Sequence, residues 1–271
     1  MTRLLQLSDP HFGTVRPAVA DALHALVQAQ RPALLLLTGD ITQRATAAQF
    51  AAARAYVDAL GVPACIAIPG NHDLPLFDLA SRLLWPYARY ARAFGAELEP
   101  QFENADLQLW ALNTTRRWRH VDGALGAAQI EKVAQRAERA APQRWRLVAV
   151  HQPLAVPSPD DAHDLLHGHA AALRRWAAAG VDLVLGGHIH LPYVLQRPGQ
   201  TPGRPLWVVQ AGTALSRRVR DGIDNSVNLL QLRAACGGQP RQGQVERWDY
   251  DAAMQCFRRI AVHPLEPGDV G

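Results

Sequence analysis

The segment Ala64-Cys65-Ile66-Ala67-Ile68-Pro69-Gly70-Asn71-His72-Asp73 runs an apolar stretch straight into a polar, glycine-bearing turn. Open α/β sheets present their chemistry in this way, at the carboxyl ends of strands. An Asn and a His at such a turn can bind a metal, hold a phosphate, or close the chain reversal. The tetrapeptide alone does not choose among these. The choice depends on what the other strand ends carry.

Toward the N-terminus, residues 4–7 form a short apolar run that ends at Ser8-Asp9-Pro10-His11-Phe12-Gly13. A helix is expected from Pro17, with Val19, Leu23 and Leu26 on one face and proline in the first turn. Residues 33–38 are Leu-rich and non-alternating, as a central strand covered on both faces should be, and end in Gly39-Asp40. Thr46 opens a second helix, with Phe50, Ala53, Val57 and Leu60 on one face and Gly61 closing it. Three strand–loop–helix units therefore precede or include the opening segment, and each strand ends in polar residues.

Toward the C-terminus the pattern loosens and then returns. Residues 74–105 read as a helical excursion over the sheet edge; the aromatics Trp85, Tyr87 and Tyr90 read as a substrate cap, a membrane-touching element or core packing, of which core packing is expected. A strand over 107–112 ends at Asn113-Thr114-Thr115 and is followed by a basic loop containing Arg116, Arg117, Trp118, Arg119 and His120. That loop reads either as a cationic rim that steers anions or as plain surface. A helix with Ile130, Val133 and Ala137 leads to a strand over 147–150 that ends at His151. A further helix with Leu166, Leu173 and Trp176 precedes a strand over 181–185, which ends at Gly186-Gly187-His188-Ile189-His190. The remainder reads as β structure, the last two strands forming a hairpin. Without a linker, repeat or low-complexity block, residues 1–271 are expected to form a single domain, with 235–271 a C-terminal β-hairpin extension.

Composition narrows the class. A chain of 271 residues with 48% hydrophobic and 19% charged residues has the material for one large core and is not of the disordered type. The formal charge of +4 is mild, and no long basic track marks a nucleic-acid interface. Cys65, Cys236 and Cys256 are odd in number and lack CxxC spacing, which argues against a disulfide frame and for a reducing compartment. The stretch before Asp9 is too short for a signal-peptide core and no run could span a bilayer, so a cytoplasmic location is expected.

The strand ends together carry eight polar residues: Asp9, His11, Asp40, Asn71, His72, His151, His188 and His190. Imidazoles with carboxylates suit Zn, Mn and Fe, and so many groups exceed the needs of one ion. Two ions sharing a carboxylate would use them, since a carboxylate has two oxygens and can bridge where an imidazole cannot. Taken singly, each block is ordinary turn or cap chemistry. Their ordered recurrence at successive strand ends is not.

In this order the blocks Asp9-Pro10-His11, Gly39-Asp40, Gly70-Asn71-His72-Asp73, His151 and Gly187-His188-Ile189-His190 resemble the calcineurin-like metallophosphoesterases. The resemblance implies an α/β fold, a four-layer α/β/β/α sandwich with two facing mixed β-sheets. It also implies two metal ions (Mn, Fe or Zn), one held by Asp9, His11 and His190 and the other by Asn71, His151 and His188, with Asp40 bridging. A shared hydroxide would attack phosphorus, and His72 would protonate the leaving oxygen or bind the phosphoryl group. Where the protein-phosphatase branch has an Asp that orients this His, the chain has Gln43; Arg44 matches that branch's phosphate-contacting Arg in position.

Ala211-Gly212-Thr213-Ala214, Arg217-Arg218 and Asn225-Ser226 are similar to the bacterial class III cyclic-nucleotide phosphodiesterase branch, which implies a small diester substrate of nucleotide type and Thr213 beside it. The competing activities are a broad phosphodiesterase or phosphomonoesterase, a lipid A precursor (UDP-diacylglucosamine) pyrophosphatase and a DNA nuclease; a non-catalytic scaffold of the same fold is the competing class. A pyrophosphatase of that kind would need an exposed apolar cap, for which 74–95 is the candidate. His163, His167 and His169 read as a solvated helix start rather than as a second metal cluster.

Overall fold

The computed structural model describes residues 1–197 and 205–265. In chain order the elements are β1 (Thr2–Leu7), α1 (Pro17–Gln30), β2 (Leu34–Thr38), α2 (Ala47–Leu60), β3 (Ala64–Ile68), α3 (Leu79–Leu84), α4 (Ala88–Phe94), β4 (Gln101–Glu103) and β5 (Leu107–Ala111). They continue with α5 (Ala127–Arg139), β6 (Trp145–Ala149), α6 (His169–Ala179), β7 (Leu183–Gly186), β8 (Tyr193–Arg197), β9 (Leu206–Gln210), β10 (Ser226–Arg233), β11 (Gln242–Asp251) and β12 (Cys256–Leu265). One sheet has the order β12-β11-β10-β1-β2-β3 and the other β4-β5-β6-β7-β9-β8. Each mixes parallel and antiparallel pairs.

Alternation along the strands builds the layers. In β1 and β2, Leu4, Leu34 and Leu36 face the second sheet, where they meet Leu109, Leu147, Leu183 and Leu185. Their neighbours Leu5, Leu7, Leu35 and Leu37 point the other way, onto Val19, Leu23, Phe50 and Val57 of α1 and α2. On the far side Val148, Val184 and Val208 pack under Ile130, Val133 and Trp176 of α5 and α6. Both faces of the central strands are thus apolar, which is why their sequence does not alternate. The result is the expected four-layer α/β/β/α sandwich with two mixed sheets.

Helix ends follow local chemistry. Pro17 begins α1, where its missing N–H has no partner to lose. The Thr46 side chain accepts from Gln49 N to cap α2, and Gly61, at φ 68°, ends it in the left-handed conformation. No described helix is long and apolar enough to cross a membrane.

Two features differ from the sequence reading, a pair of edge strands and the placing of Trp85. The short edge strands β4 and β8 were not expected, because β4 has three residues and β8, half-buried along most of its length, has no apolar alternation. The excursion over 74–105 is helical as expected, in the two short helices α3 and α4, before β4 closes it. Tyr90 is buried within it, but Trp85 is 65% exposed, so its ring is not a core aromatic. The hairpin β11–β12 extends the first sheet beyond β10 as its outer edge; the last six residues of the expected 235–271 extension lie outside the described residues.

Candidate metal centre

The site forms where the carboxyl ends of β1, β2, β3, β6 and β7 converge. Asp9 N donates to Gly39 O at 3.1 Å and His11 N to Asp40 O at 3.0 Å, so the first two loops run side by side. Of eight non-glycine residues with positive φ among the described residues, five are here: Asp9 (51°), His11 (44°), Asp40 (48°), His188 (76°) and His190 (54°). A left-handed backbone costs a side-chain-bearing residue roughly 1–2 kcal/mol, and such strain persists where surrounding contacts over-determine it.

Close approach explains two glycines. Gly39 has φ +95°, and a Cβ there would strike the His151 ring. A Cβ on Gly70 would strike the backbone N and the carboxylate of Asp40. Only glycine lets the three loops close this tightly.

The side chains fall into two groups. In one, Asp9 Oδ1 lies 3.3 Å from His190 Nε2 and 3.8 Å from His11 Nε2, and the two imidazole nitrogens face each other at 3.1 Å. In the other, His151 Nε2 is 3.3 Å from Asp40 Oδ1 and 3.1 Å from Asn71 Oδ1, with the His188 ring 5.1 Å from that of His151. Within each set, Asp9, His11 and His190 or Asp40, His151 and His188, ligand atoms lie within 4.8 Å of one another. Asp40 faces both groups: its Oδ1 turns to His151, and its Oδ2 lies 3.9 Å from His11 Nε2.

Electrostatics follow from dense burial. Burial works to raise Asp9 and Asp40, yet the histidines beside them, His190 and His151 above all, hold both carboxyls below the ordinary range. Burial pushes His11 down to about 4. It opposes protonation of His151 too, but the Asp40 carboxylate outweighs it and raises that imidazole to about 9. His190 is raised in the same sense, against burial, by Asp9. Each carboxylate thus favours the charged form of the imidazole beside it, Asp40 that of His151 and Asp9 that of His190.

A cation fits those positions. His151 Nδ1 lies 2.7 Å from Thr38 O, a bond that makes Nδ1 the donor, so that Nε2 faces Asp40 and Asn71 with a lone pair once a cation has displaced its proton. His188 Nδ1 is buried without a hydrogen-bond partner, while its Nε2 faces Asp164 Oδ1 at 3.7 Å. Buried nitrogen and carboxylate atoms converging in sets of three are the donor chemistry of Zn, Mn or Fe.

His72 lies beside these groups, with its ring 4.9 Å from that of His11. The backbone N–H of His72 donates to Asp40 Oδ1 at 2.8 Å. The main chain supplies what the side chain of Gln43 does not: His72 Nδ1 is 3.0 Å from Gln43 O. Nε2 is then turned to the open cleft, where Arg218 Nη1 approaches it at 3.1 Å and Gln43 Oε1 at 3.2 Å.

Three residues that sequence reasoning left aside belong to the site. Asp73 is buried, with Oδ1 accepting from Thr42 N and Oγ1 at 2.7 and 2.8 Å and Oδ2 from Ile41 N and Gly70 N at 3.0 and 2.9 Å. It clamps the Asp40 loop to the Asn71 turn. Burial and the Asp40 charge push its carboxyl above the ordinary range, against those donors. Asp164 faces His188, and Arg218 faces His72. Asp73 stands in the Gly70–Asp73 motif and Arg218 in the Arg217-Arg218 pair of the branch resemblance, neither with a role attached; nothing local in the sequence marks Asp164.

The remaining expectations fall as follows. Thr213 is fully buried and its hydroxyl donates to Asp9 O at 2.6 Å, so it props the first loop from behind. Arg44 is exposed, its guanidinium 5.2 Å from the Phe77 ring. The arginines on the wall of the cleft, about 300 Å³ in volume, are Arg218 and Arg220. Arg116, Arg117 and Arg119 bond instead to Gln129, Leu83 O and Asp122. His163 and His169 pair with carbonyls three residues back and His167 with Asp122, and none of them joins either group of ligands.

Comparison with known proteins agrees with the geometry. Residues 2–192 match the profile of the calcineurin-like phosphoesterases. A probable cyclic nucleotide phosphodiesterase of Synechococcus sp. (strain ATCC 27144) is 31% identical over 205 residues, covering 73% of this chain and 74% of that one. A second, from Synechococcus sp. (strain WH7803), is 32% identical over 211 residues, covering 70% and 75%. A dimetal phosphatase from Danio rerio superposes with a TM-score of 0.67 at 13% identity, over 98% of this chain and 99% of that one, a likeness of fold.

Proposed function

Since the chain belongs to the calcineurin-like phosphoesterase family, and is a metal-dependent phosphoester hydrolase, we propose that it cleaves small phosphodiesters of the cyclic-nucleotide type at a two-cation centre. The observation that carries this reading is Asp40, whose two oxygens turn to two separate sets of ligands. Asp9, His11 and His190 hold one cation in this reading, and Asn71, His151 and His188 the other. When bound, such a pair lowers the pKa of water and withdraws charge from phosphoryl oxygens.

The chain's own residues supply the rest. Thr38 O fixes the His151 ring, and Asp164 opposes the outer nitrogen of His188, so both imidazoles are oriented before a cation arrives. Gln43 O holds His72 Nδ1 as the donor and so directs Nε2 at the cleft. There Nε2, once Arg218 turns away and it has taken up a proton from solvent, gives that proton to the oxygen that leaves phosphorus. Arg218, now donating to Nε2, is the group that an anionic substrate oxygen would recruit, freeing His72 as it binds. A diester is favoured by the names of the relatives and by a cleft large enough for a nucleotide fragment.

The test is a panel run with Mn²⁺: 3′,5′- and 2′,3′-cyclic nucleotides, bis(p-nitrophenyl) phosphate, monoesters and a nucleotide-diphosphate lipid headgroup. A cyclic nucleotide with kcat/KM at least tenfold above any monoester supports the reading. Preference for monoesters, or for the diphosphate alone, contradicts it.

A further inference from the structure

Beside the mouth of the cleft the surface is apolar where a soluble protein is normally polar. Phe77 is 79% exposed, Leu84 63%, Trp85 65% and Trp118 71%, and Leu79 and Leu83 are also exposed. Single exposed apolar residues are ordinary, but a cluster of large ones marks an interaction surface. The cluster comes from two stretches strapped together. Arg82 is buried between them and donates to Pro75 O, Arg117 O and Arg119 O, while Arg117 donates to Leu83 O. Three guanidinium–carbonyl bonds from one buried arginine make this a built face rather than a loose tip.

Its charge is one-sided. Arg44 stacks on Phe77 and Arg117 on Trp118, and Arg116 and Arg119 stand in the same loop. The acids in residues 75–90 and 116–122 are Asp78, paired with Arg89, and Asp122, paired with Arg119. Exposed tryptophan, phenylalanine and leucine side chains with Arg44 and Arg117 set against two of the rings match a boundary that is apolar within and anionic at its rim. A protein partner would instead call for shape and polar complements that a protruding apolar cluster does not offer.

We propose that the face built from residues 77–85 and 116–119 docks on the surface of an anionic lipid bilayer, bringing the cleft to the membrane. Val121, the continuation of the same loop, lines the cleft, so docking would turn the catalytic mouth toward the lipid headgroups. The proposal is independent of the substrate reading.

The test is co-sedimentation of the full, metal-loaded chain with vesicles of phosphatidylglycerol and phosphatidylcholine, and with phosphatidylcholine alone. The wild type should bind the anionic vesicles at least tenfold more tightly than the neutral ones, with a blue-shifted tryptophan emission. The variant Leu83→Asp/Trp85→Asp/Trp118→Asp should lose at least tenfold in affinity and the blue shift, with hydrolysis of a soluble diester unchanged. Each arginine removed near an anionic surface weakens binding by about fivefold, so Arg117→Ala should bind measurably less well. The proposal is overturned if the wild type ignores anionic vesicles, if it binds neutral ones equally, or if the triple variant binds as well. It is also overturned if the wild type is a dimer that the triple variant dissociates, which would make this face a contact between copies.

Discussion

Asp73→Asn removes one oxygen and almost no volume, and its consequence can be worked from four distances. Each carboxylate oxygen accepts two bonds, Oδ1 from Thr42 N and Oγ1 and Oδ2 from Ile41 N and Gly70 N. Whichever oxygen becomes the amide nitrogen will point its own N–H groups at two donors. A buried donor left unsatisfied costs about 1–3 kcal/mol, so two amount to about 2–6 kcal/mol. With a urea slope of about 3 kcal/mol/M, the unfolding midpoint should fall by roughly 1–2 M. The measurement belongs on chelator-treated protein, where loss of metal cannot contribute. The loops freed are those of Asp40 and Asn71, so the metal-loaded variant should also retain less than one full pair of ions. A midpoint within about 0.3 M of wild type, with metal content unchanged, would refute the idea that Asp73 is the clamp.

Other outcomes follow from the same geometry. Arg218→Ala should raise KM for a diester by about 10–100-fold, the worth of one charged hydrogen bond, and Arg218→Lys should restore only part of it; unchanged steady-state kinetics would remove Arg218 from substrate binding. Asp164→Asn should weaken metal retention by about tenfold or more through His188, read as the chelator concentration that halves activity; an unchanged chelator curve would sink this role. His151 is raised to about 9 in the metal-free protein by Asp40, so below that pH a metal must displace its proton. Affinity at that position should therefore fall as pH drops from 9 to 7, with proton release seen by calorimetry in buffers of different ionisation heat. An affinity flat across that range would contradict the assignment.

The layers of the fold were legible because they rest on local signals. Leu34 to Leu37 could only be a strand buried on both faces, and Pro17, Thr46 and Gly61 announce their helix ends by their own backbone and side-chain chemistry. The two sets of histidines and carboxylates were legible because each follows an apolar run. What escaped is what tertiary packing decides. Gln43 at the expected Asp position left His72 unaccounted for, since a main-chain carbonyl that orients an imidazole leaves no trace in residue type. Asp164 reaches His188 across 24 residues of chain, and Arg218 reaches His72 across 146. Trp85 looked like a core residue because an exposed indole carries the same letter as a buried one.

The central claim is that two cations share Asp40 and that hydrolysis needs both. Titrating the metal-free protein with Mn²⁺ while following bis(p-nitrophenyl) phosphate hydrolysis and bound metal tests it directly. Activity should appear with the second equivalent, and Asp40→Ala should bind at most one ion and be inactive. Full activity at one equivalent, or two ions retained by Asp40→Ala, would contradict it.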